Sequence, residues 1–186
     1  RRTGLYTQPH LHTYRERIQV DREPIAPEAF AAGVARVRAA IAQVARDAPA
    51  LGPVTTYEAT TALALLHFAE RGIEVGVLEV GLGGRLDATN TVDAQVAVLT
   101  PIDLDHTRVL GDTPEAIAAE KAAVIKPGAI AVSAPQRPAV AAVIAATAAA
   151  RGATLRVVGD GAARLEGTTI VTPRGRYPDL RLGLLG

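Results

Sequence analysis

Four short apolar runs, set among stretches with helical periodicity, constrain this chain more than any other feature. They are IEVGVLEV (73–80), AQVAVLT (94–100), AIAVSA (129–134) and TLRVVG (154–159). Runs of this length bounded by turn residues read as buried strands. Thr113-Pro114 opens a helix over 113–125, a cap followed by proline at the first helical position. Lys126-Pro127-Gly128 stops it, and 138–151 reads as another helix. Strands alternating with helices predict an α/β fold, a mostly parallel sheet with helices on both faces. Upstream, Phe30, Val34, Val37, Ile41 and Val44 recur at helical spacing within 27–48. A second helix is expected from an N-cap at Thr56 to Arg71, closed by Gly72. Residues 1–21 are polar, with a turn at Gln8-Pro9. From 159 onward Gly and Pro turns join short runs that read as a small antiparallel sheet.

Composition excludes several classes. The chain has 186 residues, 48% of them hydrophobic, enough for one domain with a full core. The formal net charge is +1, from 20 basic and 19 acidic residues, which gives no electrostatic case for nucleic acid or an anionic membrane. Without cysteine there are no disulfides and no thiolate metal sites. No apolar run reaches the ~18 residues of a membrane span, and no signal peptide is visible. A soluble cytoplasmic protein is expected. The first residue is Arg1 and the last stretch is RLGLLG, so both ends are expected to be cut from something longer.

In open α/β sheets ligands bind beyond the carboxyl ends of the strands. Glu79 lies at such an end and opens EVGLGGRLDATN (79–90). A carboxylate beside a buried strand needs a partner or a cation; Arg85 is the nearest candidate partner. The glycines do not make a dinucleotide fingerprint, because Leu86 stands where its third glycine belongs, and no P-loop occurs. The next strand ends in TPIDLDHT, which puts Asp103, Asp105 and His106 near the same edge. Carboxylates and an imidazole there suit Mg²⁺ or Mn²⁺, or else cap a helix. Glu120 and Lys121 read as a solvated helix face. His10 and His12, in the loop after Gln8, are either ligands or surface histidines. Thr55, Thr56, Tyr57 and Glu58 open a helix, where N–H groups favour anions and where capping alone explains Thr and Glu.

Taken in order, GLYTQPHLHTYRERI, TTYEATTALALLHFA, EVGLGGRLDATNT, PIDLDHTRVLGDTPEAIAAEKAAVIKPG and YPDLRLGLLG resemble the folylpolyglutamate synthase and dihydrofolate synthase family of Mur-type ligases. The resemblance implies an ATP-dependent ligase. Such an enzyme phosphorylates the carboxylate of dihydropteroate or of a folate's last glutamate, and the amine of L-glutamate then attacks the acyl phosphate. It implies two Mg²⁺ sites with ATP as co-substrate. Glu79 and His106 match metal ligands, and Lys121 matches the lysine that the family carbamylates. Leu86, Asp87 and Ala88 match one part of the pterin site; Thr55, Thr56, Tyr57 and Glu58 match another, with Tyr57 where the family usually has Phe. Gln8 stands where the family has a serine metal ligand, and Ala123 replaces a glycine. Monomeric function without nucleic acid or membrane is expected.

On this resemblance 1–158 is a partial ATP-binding central domain without its phosphate loop. Residues 159–186 are a small antiparallel subdomain of it, and the C-terminal ligase domain is absent. The chain alone is therefore expected to be inactive. Three readings stand beside it: another Mur-type amino-acid ligase, a non-catalytic remnant that binds a pterin or metal, and a metal-dependent hydrolase.

Overall fold

The structure, a computed structural model, describes residues 1–159, 164–172 and 174–179. The chain divides into two compact units, Arg1–Leu82 with Leu86–Thr91, and Gly83–Arg85 with Val92–Gly186.

The first unit holds β1 (Thr3–Tyr6), β2 (Ile18–Val20), β3 (Glu23–Pro24), α1 (Pro27–Asp47), α2 (Thr56–Arg71) and β4 (Val75–Leu78). Its sheet runs β3-β2-β1-β4, with β4 parallel to β1 and the other pairs antiparallel. Thus β4 pairs with a strand from the segment that the sequence shows only as polar. That strand has four residues and buries two, Gly4 and Tyr6, too short a run for alternation to register. Nor is β4 buried as expected, since Val77 is 50% exposed. The helices form an adjacent pair. Gly33 of α1 lies against Leu63 of α2, and a methyl group there would overlap that side chain. Helix α2 is capped one residue earlier than expected. Thr55 Oγ1 accepts from Glu58 N at 3.2 Å, and Glu58 Oε2 accepts from Thr55 N at 2.7 Å. Thr56 is the first helical residue. Gly72 closes the helix with φ of 58°, a conformation that costs glycine little. Tyr6, Ile18, Val20, Ile25, Leu63, Ala64 and Phe68 form the core.

The second unit holds β5 (Val96–Leu99), α3 (Thr107–Leu110), α4 (Pro114–Ala122), β6 (Ile130–Ser133), α5 (Pro138–Ala150) and β7 (Thr154–Val157). The three strands are parallel in the order β5-β6-β7. Thr113 caps α4 as read, its Oγ1 accepting from Ala116 N, and Pro114 follows. The helix ends at Ala122, earlier than expected. Helices α4 and α5 cover the sheet face that carries Ala97, Leu99, Ala131 and Leu155. The other face is open, with Val96 51% and Val98 67% exposed. So, among the described residues, helical cover is seen on one face of this sheet. A separate antiparallel sheet follows, of β8 (Arg164–Glu166), β9 (Thr169–Thr172) and β10 (Gly175–Tyr177), as the turn-rich composition predicts. The end of YPDLRLGLLG, residues 180–186, lies outside the described residues.

Candidate functional site

Because β1 and β4 are parallel neighbours, the loops that follow them leave the sheet at one edge. Gln8 N donates to Glu79 Oε2 at 2.7 Å and fastens the two loops together. Glu79 is exposed, and Arg85 is not its partner: Arg85 Nη2 lies 2.6 Å from Glu120 Oε1 instead. The side chain of Gln8 turns toward Arg17, whose Nη1 donates to Gln8 Oε1 at 3.4 Å. Gln8 Nε2 is buried without a hydrogen-bond partner. Arg17 also donates from Nε to His10 Nδ1 at 3.0 Å and lies over the Tyr14 ring at 4.6 Å. His10 is therefore an acceptor at Nδ1, and only Nε2 is left for a ligand. The backbone of His12 is held by Glu16, whose carboxyl lies below its ordinary value because the N–H groups of Leu11 and Thr13 stabilise the charged form.

Asp87 is the centre of the loop after β4, and is 8% exposed. Its Oδ1 accepts from Tyr57 Oη at 2.8 Å and Thr89 N at 2.9 Å, and also from the Thr89 hydroxyl. Its Oδ2 accepts from Gly81 N at 2.9 Å and Leu82 N at 3.0 Å. Burial alone would raise the carboxyl's pKa, but the bonds from Thr89, Leu82 and Tyr57 outweigh it and hold the group below its ordinary value. Tyr57 is pushed upward, by burial first and then by Asp87. Its ring lies on Gly81, where a Cβ would sit 2.6 Å from Tyr57 Cζ, so that position admits no side chain. The neighbouring Leu86 is 93% exposed, and Ala88 begins a single 3₁₀ turn, Ala88–Thr91. At the start of α2, Thr55 and Glu58 bind one another, so capping accounts for both.

In the second unit, Gly84 lies on the end of α4. A Cβ there would be 2.5 Å from Glu120 O and 2.9 Å from Lys121 O. Arg85 N donates to Glu120 O at 3.1 Å beside the Arg85–Glu120 ion pair. The Glu-Lys pair is thus not a plain solvated face: Glu120 holds the glycine loop. Lys121 is half-buried in the last turn of α4, with no ion pair among the described residues. His106 caps α3 with φ of 50°, and its Nε2 lies 3.6 Å from Asp105 Oδ2. Asp103 is committed elsewhere, to Arg137 at 2.8 Å and to Leu104 N. Among the described residues, neither unit by itself gathers three His, Asp or Glu side chains that could hold a metal ion. Two residues that sequence reasoning passed over organise the first unit's edge, Arg17 and Thr89. The Asp-x-Thr spacing was a visible signal for Thr89; nothing in the sequence pointed to Arg17.

Comparison with known proteins agrees with this geometry. The chain is 40% identical to a folylpolyglutamate synthase of Lacticaseibacillus casei, over 98% of this chain and 44% of that protein. It is 44% identical to a dihydrofolate synthase/folylpolyglutamate synthase of Haemophilus influenzae, over 67% of this chain and 26% of the other. A solved FPGS–AMPPCP–folate complex superposes with a TM-score of 0.86 at 39% identity, covering 96% of this chain and 45% of that one. No family model matches the sequence. The chain spans somewhat under half the length of the L. casei relative.

Proposed function

Because the chain belongs by sequence and fold to the folylpolyglutamate synthase and dihydrofolate synthase family, we propose that it is the central part of an ATP-dependent ligase. The reaction joins L-glutamate to a folate, to dihydropteroate, or to both, through an acyl phosphate. The observation that carries the reading is the edge after β1 and β4. There an exposed carboxylate, Glu79, is fastened by Gln8 N at 2.7 Å, beside a loop whose next apolar side chain, Leu86, stands almost wholly in solvent. On this reading Leu86, Ala88 and the first turn of α2 at Thr55, Thr56, Tyr57 and Glu58 receive the pterin end. The protein works in the cytoplasm as a monomer.

Glu79, His106 and Lys121 are the residues that would hold Mg²⁺, and hard oxygen donors with one imidazole suit that ion. Mg²⁺, when bound, supplies positive charge to phosphate oxygens. Glu79 fits, because one of its oxygens makes no hydrogen bond among the described residues. Lys121 fits as a carbamate: its neutral Nζ adds to CO₂, loses a proton and becomes an oxygen donor. Its half-burial without an ion-pair partner leaves Nζ open to that addition. Gln8 fits least, because its carbonyl oxygen faces the Arg17 guanidinium and would have to give up that bond.

The test is binding and turnover by the 186-residue chain. Folic acid or 7,8-dihydropteroate should bind, as read by calorimetry. ATP-dependent addition of radiolabelled glutamate should need residues beyond this chain. Turnover by the chain alone would overturn the expectation of inactivity, and failure to bind either pterin would overturn the substrate reading.

A further inference from the structure

We infer that Asp87 is a positioning residue and not a substrate ligand: with Tyr57 it sets the loop that presents Leu86 to the flat ring of the substrate. This rests on the folate-type reading above. A carboxylate that recognises a ligand must keep an acceptor site open toward it. An ionised carboxylate has about four lone-pair sites, and Asp87 already accepts from five donors. These are Tyr57 Oη, Thr89 N, Thr89 Oγ1, Gly81 N and Leu82 N. All five lie within the first unit, and the residue is 8% exposed. Its oxygens are spent on the backbone.

Tyr57 completes the arrangement. Its hydroxyl donates to Asp87 Oδ1 at 2.8 Å and accepts from Gly81 N at 3.0 Å, so one O–H closes a ring between α2 and the loop. A phenylalanine at this position could do neither. The strut places the loop's solvent contact on its apolar residue: Leu86, next to Asp87 in the chain, is 93% exposed. Contact with the substrate ring falls to this side chain and to the adjacent backbone.

The two roles predict opposite effects for Tyr57→Phe. If Asp87 bound substrate directly, removing the Tyr57 hydroxyl would free an acceptor site, and affinity would hold or rise. If Asp87 positions the loop, the hydroxyl's loss loosens it and affinity falls. The experiment measures amide hydrogen exchange without ligand and the folic acid dissociation constant, on the 186-residue chain and three variants. Tyr57→Phe should speed exchange at Gly81 and weaken folic acid by about three- to tenfold. Asp87→Asn should remove protection at Leu82 and Thr89. Leu86→Ala should weaken folic acid without changing exchange. Unchanged or tighter folic acid binding in Tyr57→Phe overturns the inference. Should Asp87→Asn not fold, the sign of the Tyr57→Phe effect still decides. If the parent chain binds no folic acid, it is the substrate reading that has failed. Exchange then judges the positioning role alone: lost protection at Leu82 in Asp87→Asn supports it, and retained protection overturns it.

Discussion

The two units bury different chemistry. The second is packed with small and branched aliphatics: Ala97, Ala118, Ala122, Ala131 and Ala148 alternate with Leu99, Ile117, Ile125, Val140 and Ile144, and Ser133 is its one buried polar residue among those described. The first surrounds Tyr6 and Phe68 with Thr60, Thr61, His67, Asp87 and Thr89, all buried. Tyr6 Oη meets Thr61 Oγ1 at 3.1 Å, Tyr14 Oη meets Thr60 Oγ1 at 2.6 Å, and the rings of Tyr6 and Tyr57 are 6.4 Å apart. An aliphatic core holds elements together without preference for direction. A core threaded with hydrogen bonds also fixes orientation, since an unpaired buried polar group is costly. The first unit's polar core leads directly into the loop that carries its candidate site. The second unit's candidate residues, His106 and Lys121, stand at the edge of its packing.

That contrast can be broken at several points. Ile117→Ala, at a fully buried position, should cost about 3 kcal/mol in denaturant unfolding and leave first-unit amide exchange unchanged. A change in exchange around Asp87 would show that the second core does more than pack. Gly84→Ala places a methyl against the Glu120 carbonyl. It should cost about 2–3 kcal/mol and also shift the NMR signals of Arg85 and Glu120. Asp87→Asn should cost about 2 kcal/mol at neutral pH, with a pH signature that distinguishes it from Ile117→Ala. The Asp87 carboxyl is held below its ordinary value in the fold. Its contribution is therefore complete above the unfolded-state pKa of about 4. It is lost as pH falls through the folded value, so parent and variant should converge in acid. A gap that stays constant down to pH ~2 would refute the bonded, ionised Asp87. The smallest effect is expected for Thr55→Ala, about 1 kcal/mol from the capping box alone, measured by thermal unfolding.

Legibility in the sequence followed the range of the interactions. Helix α1 was readable because five apolar residues repeat along one stripe, and α4 because Thr113-Pro114 is a local start signal. The strands β1, β2 and β3 were not, being four, three and two residues long. Arg85 was assigned to the wrong carboxylate because its partner, Glu120, lies 35 positions away. Which of two acids in one motif is spent and which is open was also hidden. Asp87 is satisfied largely by backbone N–H groups, which every residue carries. Glu79 is exposed because of where β4 ends. The one local hint was Tyr57, a hydroxyl where related chains usually carry a bare ring.

The saturation of Asp87 also bears on timing. Its five bonds share one carboxylate, so the loop cannot lift by breaking them one at a time without leaving a charge buried and unmet. Opening is then a local unfolding event, rare compared with the arrival of a small molecule. A ligand meets a surface already formed. Its observed association rate in stopped flow should climb linearly with concentration, with no plateau from a gate that must open first.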